Sequence, residues 1–245
     1  MRNLTETLGR LNTTRAQIGW MRFVLFLLSK ACNRLLDPHA ISSYSQFGED
    51  RIIEAFFGSQ AKGVYIDIGC NDPVSYSNTY KLYLKGWNGI CVDPNPELIR
   101  KHKAIRPMDI AIQKVVSNKS GIVDFYFSRV SHLISGVGEK ASGHWKRTAD
   151  NSDVVRCESV TLSSILIEHN IANEFELLTI DVEGHELEVL NSIDLTVYKP
   201  SLIIVEMHDF NLADPGGDPV YNMLISNKYC LQSYVSPNGF FTRTH

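Results

Sequence analysis

The sequence predicts an α/β fold: a largely parallel, Rossmann-like sheet with helices on both faces. Three observations carry that prediction. Short apolar runs, among them Val64–Ile68, Gly89–Val92, Leu177–Ile180 and Ser201–Val205, alternate with stretches of helical periodicity. Each run ends in polar residues, namely Asp67/Gly69/Asn71, Asp93, Asp181/Glu183 and Glu206/His208. The first run also passes straight into a tight turn at Gly69, and a glycine turn between strand and helix is the usual nucleotide cradle of such sheets. Glycine there permits a positive φ and the close approach of a ligand.

Taken in order, Ile18–Leu36 has helical character, with Trp20, Phe23, Val24, Leu27, Leu28, Ala31 and Leu35 as its apolar residues, and Asp37-Pro38 breaks it. Residues 1–44 are expected to form a basic, apolar helical extension, and residues 45–245 the main domain. Ser45-Gln-Phe-Gly-Glu-Asp50 leads into a helix over Arg51–Phe57 that ends at Gly58, and its polar cluster either caps that helix or points back at the site. Helices are expected over Ser77–Lys85 and Pro96–Lys103, the second with proline in its first turn, where the missing amide costs nothing. Asp109–Ser117 alternates as one third strand, and Asn118–Gly121 turns into another over Ile122–Phe127. Ser128–Asp153 loses periodicity and is expected to be a lid or binding loop, in which His132 and His144 could touch substrate. Helices follow over Val160–Glu168, His185–Ile193 and Val220–Asn227, and a last strand over Cys230–Val235.

The net charge of −3 is unevenly placed: residues 1–36 carry +5, so the rest carries −8, which argues against a nucleic-acid partner. Five scattered cysteines without a Cys-x-x-Cys pair suit a reducing compartment and no structural zinc, so the expected location is the cytoplasm. The longest apolar run, Phe23–Leu28, is far short of the roughly 20 residues a membrane span needs. Residues 18–36 are expected to dock on the domain or on a partner subunit. The alternative is an interfacial helix that places Arg22, Lys30 and Arg34 against lipid headgroups.

A dinucleotide fold would need G-x-G-x-x-G, but Gly69 stands alone, and Asp67 with Asp72 would repel a pyrophosphate. No Gly-Lys-Ser/Thr follows, which excludes a P-loop. A phosphate-free nucleoside with a positive centre suits this acidic turn, and S-adenosylmethionine is such a molecule. Asp93 ends the second strand 26 residues after Asp67, in place to accept hydrogen bonds from both ribose hydroxyls.

The pieces SQFGED at 45–50, YIDIGCND at 65–72, DPNP at 93–96, VVSNKSG at 115–121, IDVEGHELEVL at 180–190 and PSLIIVE at 200–206 together resemble the FkbM-type family of S-adenosylmethionine-dependent methyltransferases. The resemblance implies a class I methyltransferase fold and O-methylation of a small-molecule acceptor. That acceptor is expected to be a carbohydrate hydroxyl, on a nucleotide-linked sugar or a surface polysaccharide. The alternatives are a polyketide or other small metabolite, or a non-catalytic cofactor-binding scaffold. By the resemblance, Asp67, Gly69 and Asn71 would hold the methionine end, Asp93 the ribose, and Asp109 or Gln113 the adenine, with Gln46 closing over the cofactor together with Glu49 and Asp50 unless these two only cap their helix.

Catalysis requires an in-line alignment and a base. Asp181, Glu183 and His185 leave the fourth strand beside the expected methyl position, and His185 has a suitable pKa for the base. Glu206 and His208 are further candidates. Asp181, Glu206 and His208 could also hold a divalent cation, but their spacing matches no fixed metal motif, and the expectation is a reaction without one.

Overall fold

The computed structural model of the chain describes residues 14–16, 18–36, 42–128, 135–137 and 152–244. In chain order the elements are α1 (Trp20–Leu36), α2 (Glu49–Phe57), β1 (Val64–Ile68), α3 (Tyr80–Leu84), β2 (Asn88–Val92), α4 (Pro96–Ile105), β3 (Ile110–Ile112), β4 (Val115–Val116), β5 (Gly121–Ser128), β6 (Ser135–Val137) and β7 (Ser152–Val160). They continue with α5 (Leu162–Glu168), β8 (Glu174–Ile180), α6 (Glu186–Leu190), β9 (Lys199–Glu206), α7 (Pro219–Ser226), β10 (Tyr229–Val235) and β11 (Asn238–Arg243).

The main sheet has seven strands in the order β3-β2-β1-β8-β9-β11-β10. It is parallel from β3 to β9, and β11 then pairs antiparallel with both β9 and β10. This arrangement is the class I methyltransferase fold that the sequence predicts. Its strands are buried on both faces, so the two-residue side-chain period sorts each into two cores. Ile66, Ile68, Ile90, Val92, Leu178, Ile180, Ile203 and Val205 pack on Leu162, Ile165 and Leu166 of α5 and Val189 and Leu190 of α6. The alternate residues Tyr65, Cys91, Leu177, Leu202 and Ile204 meet Ile53 of α2, Leu82 of α3, Trp87 and Ile99 of α4. β1 lies centrally, between β2 and β8, with Ile68 opposite both Val92 and Ile180. The chain leaves that point in opposite directions, so ligands are received at this rim.

Three expectations are corrected. Asp109–Ser117 is not one strand: β3 stays in the main sheet, and β4 turns away into a second, four-stranded sheet of order β4-β7-β5-β6. Part of the expected loop is strand. β6 pairs with β5, and β7 runs antiparallel to the whole of β5 and reaches Val160, so the following helix starts only at Leu162, capped by Thr161. Cys157 and Ser159 face inward on β7 while Arg156 and Glu158 face solvent, an alternation masked by the polar inward residue Ser159. Finally, β10 is followed by β11, which inserts between β9 and β10.

The helix α1 is two-sided. Phe23, with Ile18, packs against Tyr80, Tyr83 and Leu84, while Trp20, Met21 and Leu25 are more than half exposed. Among the described residues no helix is long and apolar enough to cross a membrane.

Arg106, fully buried, fastens the amino end of the sheet to the segment behind the Gly69 turn. Its Nε donates to Asp109 Oδ2 at 2.7 Å, one terminal nitrogen donates to Tyr65 Oη at 2.8 Å and Thr79 Oγ1 at 2.9 Å, and the other reaches Ser77 Oγ at 3.3 Å. Asp109 also accepts from Tyr65 Oη and the Gly89 amide. Removing one partner of such a buried pair leaves an uncompensated charge. Arg106→Met is therefore expected to lower stability by about 3–5 kcal/mol in urea denaturation; a loss of under about 1 kcal/mol would show that the network contributes little.

Candidate active site

The turn after β1 is built by its neighbours. The amides of Gly69 and Cys70 both donate to Val92 O, at 2.9 and 3.2 Å, and the Asp181 amide donates to Ile68 O at 2.9 Å. Gly69 has φ +79°, and a Cβ there would stand 1.7 Å from the Asp181 carbonyl oxygen. The close approach that requires glycine is thus the end of β8 itself, where the sequence suggested a ligand. Asn71 is also left-handed, at φ +46°. Its amide donates to Asp93 Oδ2 at 3.2 Å, and its carbonyl meets His102 Nε2 at 2.9 Å. Asp93 Oδ1 accepts from the Asn95 amide at 2.8 Å, so this carboxylate joins the β1 turn to the start of α4. Burial pushes Asp93 up to about 6 in spite of these two donors. Asp67 is likewise pushed up to about 6 by burial, although Thr79 Oγ1 donates to it at 2.6 Å and Arg106 lies close. Beneath the turn, Cys70 and Cys91 are buried with His102 as core residues.

On the other side of Gly69, the segment Asp181–Gly184 leaves β8. Glu183 and Gly184 are consecutive left-handed residues, with φ +55° and +97°. A left-handed glutamate is held against its own preference. The holder is Glu186, whose Oε1 accepts from the amides of Gly184 at 2.9 Å and Val182 at 3.2 Å. Glu186 was not singled out from the sequence, although it sits in the same VEGHE block. The carboxyls of Asp181 and Glu206 lie within hydrogen-bonding reach of each other, and burial together with the neighbouring carboxylates pushes both up. Glu183 is pushed up to about 8, first by burial and then by Asp181 and Glu186. His208 Nε2 stands 3.1 Å from Glu206 Oε1 and 3.8 Å from Glu183 Oε2. His185 Nε2 lies 2.9 Å from Ser117 Oγ, and burial lowers its pKa.

These segments enclose a cleft of about 680 Å³ lined by Gln46, Gly69, Asn71, Asp93, Pro94, Lys114, Val115, Val116, Phe125, Asp181, Val182, Glu183 and His185. A smaller chamber of about 340 Å³ adjoins it, bounded by Asp67, Cys70, Tyr76, Ser77 and Asn78 and sharing Gln46, Gly69, Asn71 and Asp181 with the first. The fold therefore brings together Gln46, Asp67, Gly69, Asn71, Asp93, Asp181, Glu183 and His185. Glu206 and His208 stand just behind Glu183. Gln113 is exposed and only reaches the Pro94 carbonyl, at 3.4 Å. Asp109 is not at the cleft; it begins β3 at the opposite rim, buried against Arg106 and Tyr65. Glu49 and Asp50 do not cap α2, whose N-cap Gly48 makes no side-chain bond. Glu49 accepts from Asn238 Nδ2 and the Phe47 amide, and Asp50 from the Ser43 and Ser45 hydroxyls and the Tyr44 amide. Val115, Val116 and Phe125 come from the second sheet and Lys114 from the connection that leads into it, and no local pattern announced that this sheet folds over the cleft. His132 and His144 lie outside the described residues.

A search of curated proteins gives no significant match. Among solved structures, a TehB-like SAM-dependent methyltransferase from Corynebacterium glutamicum is loosely similar, with 14% identity, a TM-score of 0.42, and coverage of 89% of this chain and 96% of that one. The model of the methyltransferase FkbM domain matches residues 67–229, about two thirds of the sequence and nearly all of the cleft-forming strands. With Gly69, Asp93 and the Asp181–Glu186 block all inside that match, the chain belongs to the FkbM methyltransferase family.

Proposed function

We propose that the chain transfers a methyl group from S-adenosylmethionine to a hydroxyl of a carbohydrate acceptor. The observation that carries the cofactor assignment is the charge of the paired chambers. Their lining holds Asp67, Asp93, Asp181 and Glu183, with Lys114 the one lysine or arginine among the described lining residues. Such a lining repels a pyrophosphate and accepts a cationic, phosphate-free nucleoside. Asp67, Gly69, Asn71 and Gln46 would hold the amino-acid end in the smaller chamber. Asp93, with lone pairs left beyond its two backbone donors, would take the ribose hydroxyls. When bound, the cofactor's sulfonium supplies the methyl group.

The chain's own residues do the rest. Asp181 lines both chambers and so stands at their junction, where an acceptor oxygen must arrive. Holding that oxygen in line supplies much of the acceleration, and an acid-rich rim takes its proton. Asp181, Glu183, His185, Glu206 and His208 together form that rim; Asp181 is nearest the junction, while His185 is already engaged by Ser117. The same rim favours a polyhydroxylated acceptor, since carboxylates accept bonds from neighbouring hydroxyls. A polyketide would need a more apolar mouth.

Two experiments follow. Calorimetry should show S-adenosylhomocysteine binding, weakened in Asp93→Ala by about 1.5–3 kcal/mol through lost ribose bonds. Ribose hydroxyls donate to the ionised Asp93 carboxylate, which burial holds near about 6 when free. Affinity is therefore full above that value and falls as pH drops through it, approaching tenfold per pH unit. Unchanged binding in the variant, or a flat profile between about pH 7 and about pH 5, would displace Asp93 from the ribose. Separately, a mass-spectrometric screen of nucleotide sugars should find a gain of one methyl group. Methylation confined to polyketide-type alcohols would transfer the activity to the other acceptor class, and cofactor binding with no acceptor in either set would favour a scaffold.

We further infer that α1 meets an anionic membrane surface. Trp20, Met21 and Leu25 form an exposed apolar stripe beside Arg22, and residues 1–36 carry +5 in a chain whose remainder carries −8. The protein should cosediment with phosphatidylglycerol vesicles at low salt and not with phosphatidylcholine ones, and Trp20→Ser with Leu25→Ser should abolish this. Vesicle-independent dimerisation that the same variants abolish would make the stripe a subunit contact instead.

A further inference from the structure

Glu183, Glu206 and His208 reach one another from two strand ends, and the ligand atoms of the three lie within 4.8 Å of each other. Among the described residues their only cationic-capable member is His208. Glu206 is only 8% exposed, and its buried Oε2 meets no N–H or hydroxyl donor among the described residues, the Asp181 carboxyl being its neighbour within hydrogen-bonding reach. The other Glu206 oxygen is 3.1 Å from His208 Nε2. That is the separation of adjacent ligands on one cation, since two bonds of about 2.1 Å at a right angle span about 3 Å. A second leg, His208 Nε2 to Glu183 Oε2, is 3.8 Å and closes with a small rotation of the exposed His208, and the third, Glu183 to Glu206, is within 4.8 Å. Glu183 is pre-set for this position: its left-handed backbone is held by the two amide bonds to Glu186.

From this geometry we propose that Glu183, Glu206 and His208 bind one divalent cation of the Mn²⁺ or Mg²⁺ type. Two carboxylates and an imidazole with no thiolate suit a cation of that hardness. This replaces Asp181 of the sequence-level set by Glu183, with Asp181 in contact with Glu206 behind it. Three protein ligands leave coordination positions open toward the cleft that Glu183 lines. A hydroxyl or hydroxyl pair of the acceptor fits those positions, and a cation there lowers the pKa of a coordinated oxygen. The role in catalysis rests on the methyl-transfer reading above; the cation site itself does not.

The test uses the full-length protein stripped with EDTA and titrated with Mn²⁺ while the free-ion electron paramagnetic resonance signal is followed. S-adenosylhomocysteine binding is measured on the same samples. One saturable site is expected, weakened at least about tenfold in both Glu206→Gln and His208→Ala and unchanged in Glu188→Gln. His208 is exposed, so its variant remains informative if Glu206→Gln fails to fold. Absence of saturable Mn²⁺ binding, or binding unaffected in both variants, overturns the inference. S-adenosylhomocysteine binding without Mn²⁺ binding would overturn this inference alone, and Mn²⁺ binding without S-adenosylhomocysteine binding would overturn the cofactor reading alone.

Discussion

The buried guanidinium of Arg106 is the constraint on which the cofactor half of the molecule depends. One planar fork ties Asp109 and Tyr65 at the amino end of the sheet to Thr79 and Ser77 in front of α3. Thr79 in turn passes a proton bond to Asp67, the last inward residue of β1 but one. The rings of Tyr65 and Tyr83 lie about 5.4 and 5.3 Å from the guanidinium carbon, so the cation is also flanked by aromatic faces. A lysine could not do this, because a point charge cannot meet a carboxylate, a phenol and two hydroxyls in fixed directions. Through this node, and through the bonds of Thr79 to Asp67 and of Asn78 to Thr179, the segment 73–79, which borders the smaller chamber, is held against the sheet.

The acceptor half is held differently. There the carboxyls of Asp181, Glu183, Glu186 and Glu206 crowd one another, and among the described residues none of them forms an ion pair with an arginine or lysine. Such crowding costs stability, and sites that tolerate it are typically those where chemistry is done. The contrast is one of purpose: charge is neutralised internally where the scaffold must be stiff, and left uncompensated where an external group is to be received.

What the sequence revealed follows the range of the interactions involved. The β1 turn, Asp93 and the Asp181–Gly184 segment were legible because each is a local pattern, an apolar run ended by polar residues, and a parallel sheet collects all its carboxyl ends at one rim. The same rule could have removed Asp109, since an acid that begins a strand lies at the opposite rim. Arg106 gave no signal, for its partners are as much as 41 residues away. β7 was hidden because its inward face carries Ser159, and β11 because only the two-residue turn Ser236-Pro237 separates it from β10. Gly69 was identified as essential for a sound general reason, yet the atom it makes room for belongs to Asp181.

The hydrogen bond from Asn238 to Glu49, spanning 189 residues, has a further consequence. Gln46, which borders both chambers, sits three residues before Glu49, so this wall of the cleft is secured by a strand that is synthesised after every other strand described here. During synthesis the central strands can assemble and the glycine turn can form well before the wall has its anchor. The bond is one tie among several, since Ile53 of α2 is in the core and Glu54 pairs with Lys81 and Lys85, but it completes this side of the cleft only once β11 has inserted between β9 and β10.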